Sequence, residues 1–389
     1  MYRILAFIIT VLVMVGCGST IHPRARTPPP AVRQAIVSSP QPAVEIQRVT
    51  GADLEPCWRW RVCGTDLAIP FKRVDGSTAF LFGDTFAITD PARQIGTDGW
   101  RSPVMLFSNI IPGSKKPFAF TGAANVSHFG AEAFMDNRWQ TGMEHTVIPT
   151  DGISFTETGD TIVSYMSVRS WYDTGIAGWQ TNNAGLAWSR DGRYFERIGP
   201  IWQNNADNTD PFQMWSMQRD GDWVYIVSTR AGRQEGPMML MRVPWDRMLE
   251  RDAYECLGDS GIGNQCVPMS YGTGRHERPL EGRFGEPSLR KLTDTTGHNI
   301  WVLSYLERYT NPYSGTVSWQ IVTRTTSAIG KPWSRPKVQI TEREFPRLYG
   351  GSLHPDSTPD NLIFMVSTWR DKSPEFDQRY DVTIFQGSV

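Results

Sequence analysis

The sequence predicts an all-β fold, a five-bladed β-propeller, on three observations. No long stretch keeps a helical period; short apolar runs punctuated by Gly, Pro, Asn and Asp recur instead. Five of those runs are alike: "AFLFGDTF" from Ala79, "TIVSYMSVRSW" from Thr161, "WVYIVSTR" from Trp223, "NIWVLSYLERY" from Asn299 and "NLIFMVSTWR" from Asn361. They recur about every 60 to 80 residues, enough for four strands each, which is the spacing of propeller blades. Asp-Gly turns, "VDGS" at 74–77 and "RDGD" at 219–222, link an earlier strand to the first and third of these runs, so each run is read as the second strand of a blade.

From the N-terminus, Arg3, the apolar run "ILAFIITVLVMV" and Gly16-Cys17 read as a bacterial lipoprotein signal over residues 1–17, with Cys17 lipidated. The run is short for a membrane-spanning helix, and Met14 stands where such signals usually carry Leu. A plain signal peptide or membrane anchor is the alternative. Residues 18–44, rich in Pro, Ser and Ala, read as an extended tether, leaving 45–389 as the propeller. The protein is therefore expected to be exported, held at the outer face of the membrane by its lipid or secreted. In an oxidising compartment the close pairs Cys57/Cys63 and Cys256/Cys266 are expected to form disulfides. "RYDVTIF" (379–385) is expected to pair with "AVEIQRV" (43–49), so that the chain ends meet in one blade. "WSRDGRYF" and "PWSRPKV" read as outer-strand turns.

Within the strands, two aspartates stand out. Asp66 and Asp84 are eighteen residues apart, each inside an apolar run that would normally exclude a charge. If Val74-Asp75-Gly76 is a three-residue loop with Gly76 left-handed, Arg73 pairs with Ser77 and Asp66 falls opposite Asp84. Directly opposed residues have Cβ atoms about 4.5–5.5 Å apart. Two carboxylates that close repel, so one should hold its proton while the other stays ionised. Glycoside hydrolysis needs that division. Asp66, Asp210 and Glu286 each precede an aligned second-strand residue by fourteen, so they are expected at equivalent channel-facing positions. The same counting puts Asp210 opposite Arg230, as a salt bridge or a catalytic element.

The motifs "GTDLAIPF", "LFGDTF" and "WRSPVML" resemble those of a glycoside-hydrolase family, the endo-D-arabinanases of actinobacteria and their phages, over roughly residues 47–386. The resemblance implies a five-bladed propeller that cuts internal α-D-arabinofuranosyl bonds of arabinogalactan and lipoarabinomannan. It also implies that Asp66 and Asp84 are the catalytic aspartates. Asp66 is assigned as nucleophile because its strand faces the channel, and Asp84 as acid/base; the reverse assignment stays open. The close pairing suggests retention of configuration. Glu286, in "GEPSLRKL", is the third catalytic candidate, tuning either carboxylate or acting as acid in an inverting scheme. Trp100 and Arg101 in "WRSPVML", Glu144 and His145 in "GMEHTVIPTDGIS", and Asp210 are the candidate substrate-binding residues.

Other readings bound this one. A net charge of -1 over 389 residues gives no reason to expect nucleic acid as a partner. The expected partner is a cell-wall arabinan, the only membrane contact the lipid anchor, and the chain a monomer. No cofactor is expected, although the oxygen-rich "NNADNTD" (204–210) could hold Ca²⁺. Arg169, Arg230, Arg308 and Arg370 all follow second strands and resemble a sialidase arginine cluster, but "SRDGRYF" is one residue short of the sialidase spacing. An L-arabinan hydrolase is a further enzyme alternative. Aromatic loops such as "SWYDTGIAGWQTNN" (170–183) would equally serve a non-catalytic carbohydrate-binding lipoprotein.

Overall fold

Five antiparallel sheets surround one axis in the computed structural model, which describes residues 42–87, 99–138, 140, 142–171, 178–256, 269, 279–370 and 379–389. The first blade is built from β2 (Gly64–Lys72), β3 (Thr78–Phe86), β5 (Val104–Ser108) and β6 (Gly122–Ala123), with the short β4 (Trp100–Arg101) beside β3. A hairpin of β7 (Asn125–Ser127) and β8 (Gly130–Glu132) follows. The second blade runs β9 (Thr146–Ser154), β10 (Thr161–Ser170), β11 (Gln180–Ser189) and β12 (Glu196–Gln203). The third runs β13 (Met214–Asp220), β14 (Trp223–Thr229), β16 (Met239–Pro244) and β17 (Glu255–Cys256). The fourth runs β18 (Glu281–Thr293), β19 (Asn299–Thr310), β20 (Val317–Thr326) and β21 (Lys337–Thr341), with β15 (Glu235–Pro237) added to the start of β18. The fifth runs β22 (Leu348–Leu353), β23 (Leu362–Arg370) and β24 (Arg379–Gly387), and is completed by β1 (Val44–Arg48). All five second strands begin within one residue of the positions expected, and the two ends of the propeller pair as β1 with β24.

Both faces of each blade are apolar because both are covered, and the buried side chains fall into seams between neighbours. Phe80, Phe82 and Leu106 of the first blade meet Ile363, Met365 and Val382 of the fifth. Ile162 and Leu186 meet Trp215 and Val224 across the next-but-one seam, and Val302 and Ile321 meet Leu353 and Phe364 across the last. Stacked sheets cannot close a ring without an axis, and here the axis carries a buried ion pair. Arg290 on β18 reaches Asp151 on β9 at 3.1 Å and donates to the carbonyls of Pro70 on β2 and Leu353 on β22 at 2.9 and 3.2 Å. Asp151 in turn accepts from Ser216 Oγ and the Met217 N–H of β13 at 2.7 and 2.8 Å. All five inner strands are thereby tied at one point.

The Cys57–Cys63 disulfide forms as expected, closing the only α-helix among the described residues, α1 (Glu55–Trp60), onto the start of β2. Cys256 is disulfide-bonded. Cys266, Cys17 and the tether to residue 41 lie outside the described residues, as do 172–177 of the aromatic loop. No described helix is long and apolar enough to cross a membrane.

Candidate active site

The first hairpin forms as its turn chemistry requires: Arg73 N–H donates to Ser77 O at 2.9 Å, and Gly76 takes φ 82°. The pairing count holds at both ends, Lys72 with Thr78 and Thr65 with Thr85, but two compensating bulges intervene. Leu67 faces Phe82 and Ile69 faces Leu81, with Leu67 and Ala68 at φ 68° and 52°. Asp66 and Asp84 sit in the interrupted stretch, so they are not a directly opposed ladder pair as counted. The bulges still leave the two carboxylates near enough for the charge of Asp84 to act on Asp66, at a place where bulges commonly re-aim side chains. Gly83 makes the room: a Cβ there would lie 2.6 Å from Asp66 Oδ1.

Asp66 lines a narrow axial cavity with Ile148, Met214, Glu286 and Tyr349, one residue from each inner strand beside its own. Its neighbour Asp84 is held by Thr146, whose hydroxyl donates to Oδ1 at 2.8 Å. The two differ in their surroundings. Burial above all, and then the charge of Asp84, holds Asp66 well above the usual carboxylate range, against one hydrogen bond from the Tyr380 hydroxyl; Glu286 raises it further and Arg233 lowers it. Asp66 Oδ1 is buried and has no hydrogen-bond partner. Asp84 is pushed up by burial to about 6, restrained by Thr146 and then by Trp100 and Ser102. The better-supplied carboxylate thus carries charge more readily, and the poorly supplied one keeps its proton. Such a pair can donate a proton and present an anion in the same small volume.

Glu286 also lies at a bulge, opposite the shift between Gly285↔Leu306 and Ser288↔Ser304, with φ 39°. Its carboxylate takes two bonds from Arg233, 2.6 Å from Nη2 and 3.1 Å from Nε, and its N–H meets Met214 Sδ at 2.9 Å. Arg233 stacks over Tyr349 at 4.1 Å. This guanidinium, which sequence reasoning missed, leaves Glu286 as an ion-paired neighbour of Asp66 rather than a free carboxyl.

The remaining candidates divide. Trp100 adjoins Asp84, and His145 lies against the Trp100 ring with centroids 5.3 Å apart, its basicity lowered by burial. Arg101 points elsewhere, donating to the carbonyls of Ala131, Gly99, Trp60 and Arg61 at 2.6–3.1 Å. Glu144 is closed off by both Nη groups of Arg197 at 2.7 Å and by Ser167 at 2.6 Å. The register expected for Asp210 is corrected: a two-residue turn pairs Asp220 with Trp223, so Met214, not Asp210, pairs near the strand end, with Thr229. Met214 takes the channel position, and Asp210 precedes the strand, accepting from Phe212 N–H at 2.9 Å and Gln213 Nε2 at 2.7 Å. In "NNADNTD" the amides and carboxylates bond one another and the local backbone, as Asn205 Oδ1 does to Thr209 N–H at 2.6 Å. Among the described residues, no three His, Cys, Asp or Glu side chains cluster as a metal site.

With this geometry in place, the chain can be compared with known proteins. Residues 54–386 match the family described as "Domain of unknown function (DUF4185)". "Notoamide biosynthesis cluster protein J'" of Aspergillus versicolor is 40% identical over 365 residues, which is 89% of this chain and 93% of that one. "Notoamide biosynthesis cluster protein J" of Aspergillus sp. (strain MF297-2) is 40% identical over 364 residues, 89% and 90% of the two chains. Among solved structures, the catalytic domain of the Coprinopsis cinerea GH62 alpha-L-arabinofuranosidase superposes with a TM-score of 0.50 at 10% identity, over 90% of this chain and 97% of that one. At that identity the likeness is one of fold.

Proposed function

The chain belongs to the DUF4185 family, and we propose that within that family it is a glycoside hydrolase that cuts internal α-D-arabinofuranosyl linkages of arabinogalactan and lipoarabinomannan. The observation that carries the reading is the pairing of buried Asp66 with half-buried Asp84, one carboxylate held protonated and the other ionising at about 6. The split favours Asp66 as proton donor to the departing sugar oxygen and Asp84 as the anion that attacks the anomeric carbon. This reverses the roles expected from strand position alone. The effect of the Asp84 charge on Asp66 supports a double displacement with retained configuration, a route that needs the two carboxyl groups about 5–5.5 Å apart. Once the leaving group departs, Asp66 is a base and can activate the water that releases the sugar from Asp84. A lipid on Cys17 and the tether behind it would keep the enzyme at the membrane that the wall polymer surrounds.

Incubating the full chain with arabinogalactan tests the proposal. The expected result is a rapid fall in polymer length with release of short oligosaccharides, and a pH–rate profile whose acid limb lies near pH 6, where Asp84 ionises. Intact polymer after prolonged incubation, with binding retained, would instead favour the carbohydrate-binding lipoprotein.

A further inference from the structure

Beside the carboxylate cavity lies a second cleft that shares Trp171, Trp179 and Tyr349 with it as lining. Its remaining walls include Trp319, Trp369, Arg233 and Arg283. Trp171 and Trp179 meet edge to face at 5.9 Å, and Trp369 is exposed, so the cleft has aromatic faces open to a sugar ring. Its charge is one-sided. Among the described residues no carboxylate lines it, and Glu286, on the cavity side, is already bound by Arg233.

Arg283 has no such partner. Among the described residues it makes no ion pair, and its Nε is buried without an acceptor. Glu235, across from it on β15, is exposed and forms no ion pair with it. Arg230, whose Nη1 donates to the Glu235 carbonyl at 2.7 Å, adds positive charge along the same edge. A second lining donor, Trp179 Nε1, is also buried without an acceptor. Buried donors left unpaired are costly, most of all on a charged group. A guanidinium half-withdrawn from water binds best to a planar or tetrahedral oxyanion that it can grip with two N–H bonds.

We propose that this cleft takes an acidic group carried by the glycan, a uronic carboxylate or a sugar phosphate, with Arg283 holding the anion and the tryptophans holding its ring. The proposal rests on the glycan-cleaving reading of the adjoining cavity and narrows its substrate to chains bearing such groups. Intrinsic tryptophan fluorescence of the full chain, with its tryptophan-lined cleft, reads occupancy directly. D-glucuronate, glucose 6-phosphate and glucose would be titrated at one ionic strength against wild type, Arg283→Gln and Arg283→Lys. The expected result is that at least one anion binds about tenfold or more tightly than glucose, that Arg283→Gln abolishes the preference and that Arg283→Lys keeps part of it. Whichever anion is preferred identifies the group. Equal affinity for acidic and neutral sugars, no binding by any of the three, or a preference unchanged in Arg283→Gln would overturn the proposal. Cleavage of arabinogalactan by wild type together with equal affinity for acidic and neutral sugars would leave the hydrolase standing without this subsite. Arg283-dependent anion binding without cleavage of any glycan would leave the subsite standing without the hydrolase.

Discussion

Arg290→Met is expected to lower the unfolding free energy by about 3–5 kcal/mol, the cost of breaking a buried ion pair from one side. Arg290 and Asp151 are both almost wholly buried on the axis. Methionine fills much of the volume but returns none of the bonds to Pro70 O, Leu353 O and Asp151. Asp151 would keep Ser216 Oγ, Met217 N–H and Gly152 N–H as donors, yet hold its charge without a cation. Pairing the change with Asp151→Asn should recover part of the loss, because the orphan charge goes with it. Denaturant unfolding of the three variants measures this. A loss under about 1 kcal/mol for Arg290→Met would mean that the seams between blades, not the axial pair, hold the ring closed.

Legibility followed sequence distance. The five second strands could be found because each is a continuous apolar run with a recognisable end, and the first hairpin because Gly76 supplies the left-handed residue that its turn demands. The bulges at Leu67-Ala68 and Glu286 could not, since non-glycine residues take the positive φ there and no glycine marks the place. Asp210 was misplaced because one loop length was assumed for hairpins that differ: the third blade turns in two residues, and its register moves accordingly. The groups that decide each carboxylate's state were hidden for another reason. Arg233 lies 53 residues from Glu286, and Arg290 lies 139 from Asp151. Tyr380, which bonds Asp66, was read only as part of a closing strand. Glu144 and Arg101 looked available in sequence, but the fold supplies Arg197 to the first and a set of carbonyls to the second.

The account stands or falls on Asp66 and Asp84. Asp66→Asn and Asp84→Asn should each leave the fold intact, since Asn keeps the shape and cannot carry a charge into the site. The stability effect has a definite sign. Both carboxyls are raised in the folded protein, so the native state binds protons more tightly than the unfolded chain, and wild-type stability falls as pH rises from about 4 through the folded values. Each variant should therefore melt at or above the wild-type temperature at pH 7, with the advantage fading near pH 4. Activity should move the other way, falling by roughly a thousandfold or more, because Glu286, the other carboxylate lining the cavity, is already engaged by Arg233. The double variant should lose little more than either single one, since the pair acts as a unit. The direct measurement is the rate of reducing-end release from arabinogalactan by wild type and both single variants at pH 6–7, with melting temperature as the control for folding. The account predicts cleavage by wild type and near-complete loss in each normally melting variant; a variant that melts normally and cuts at close to the wild-type rate would contradict it and make the pair structural.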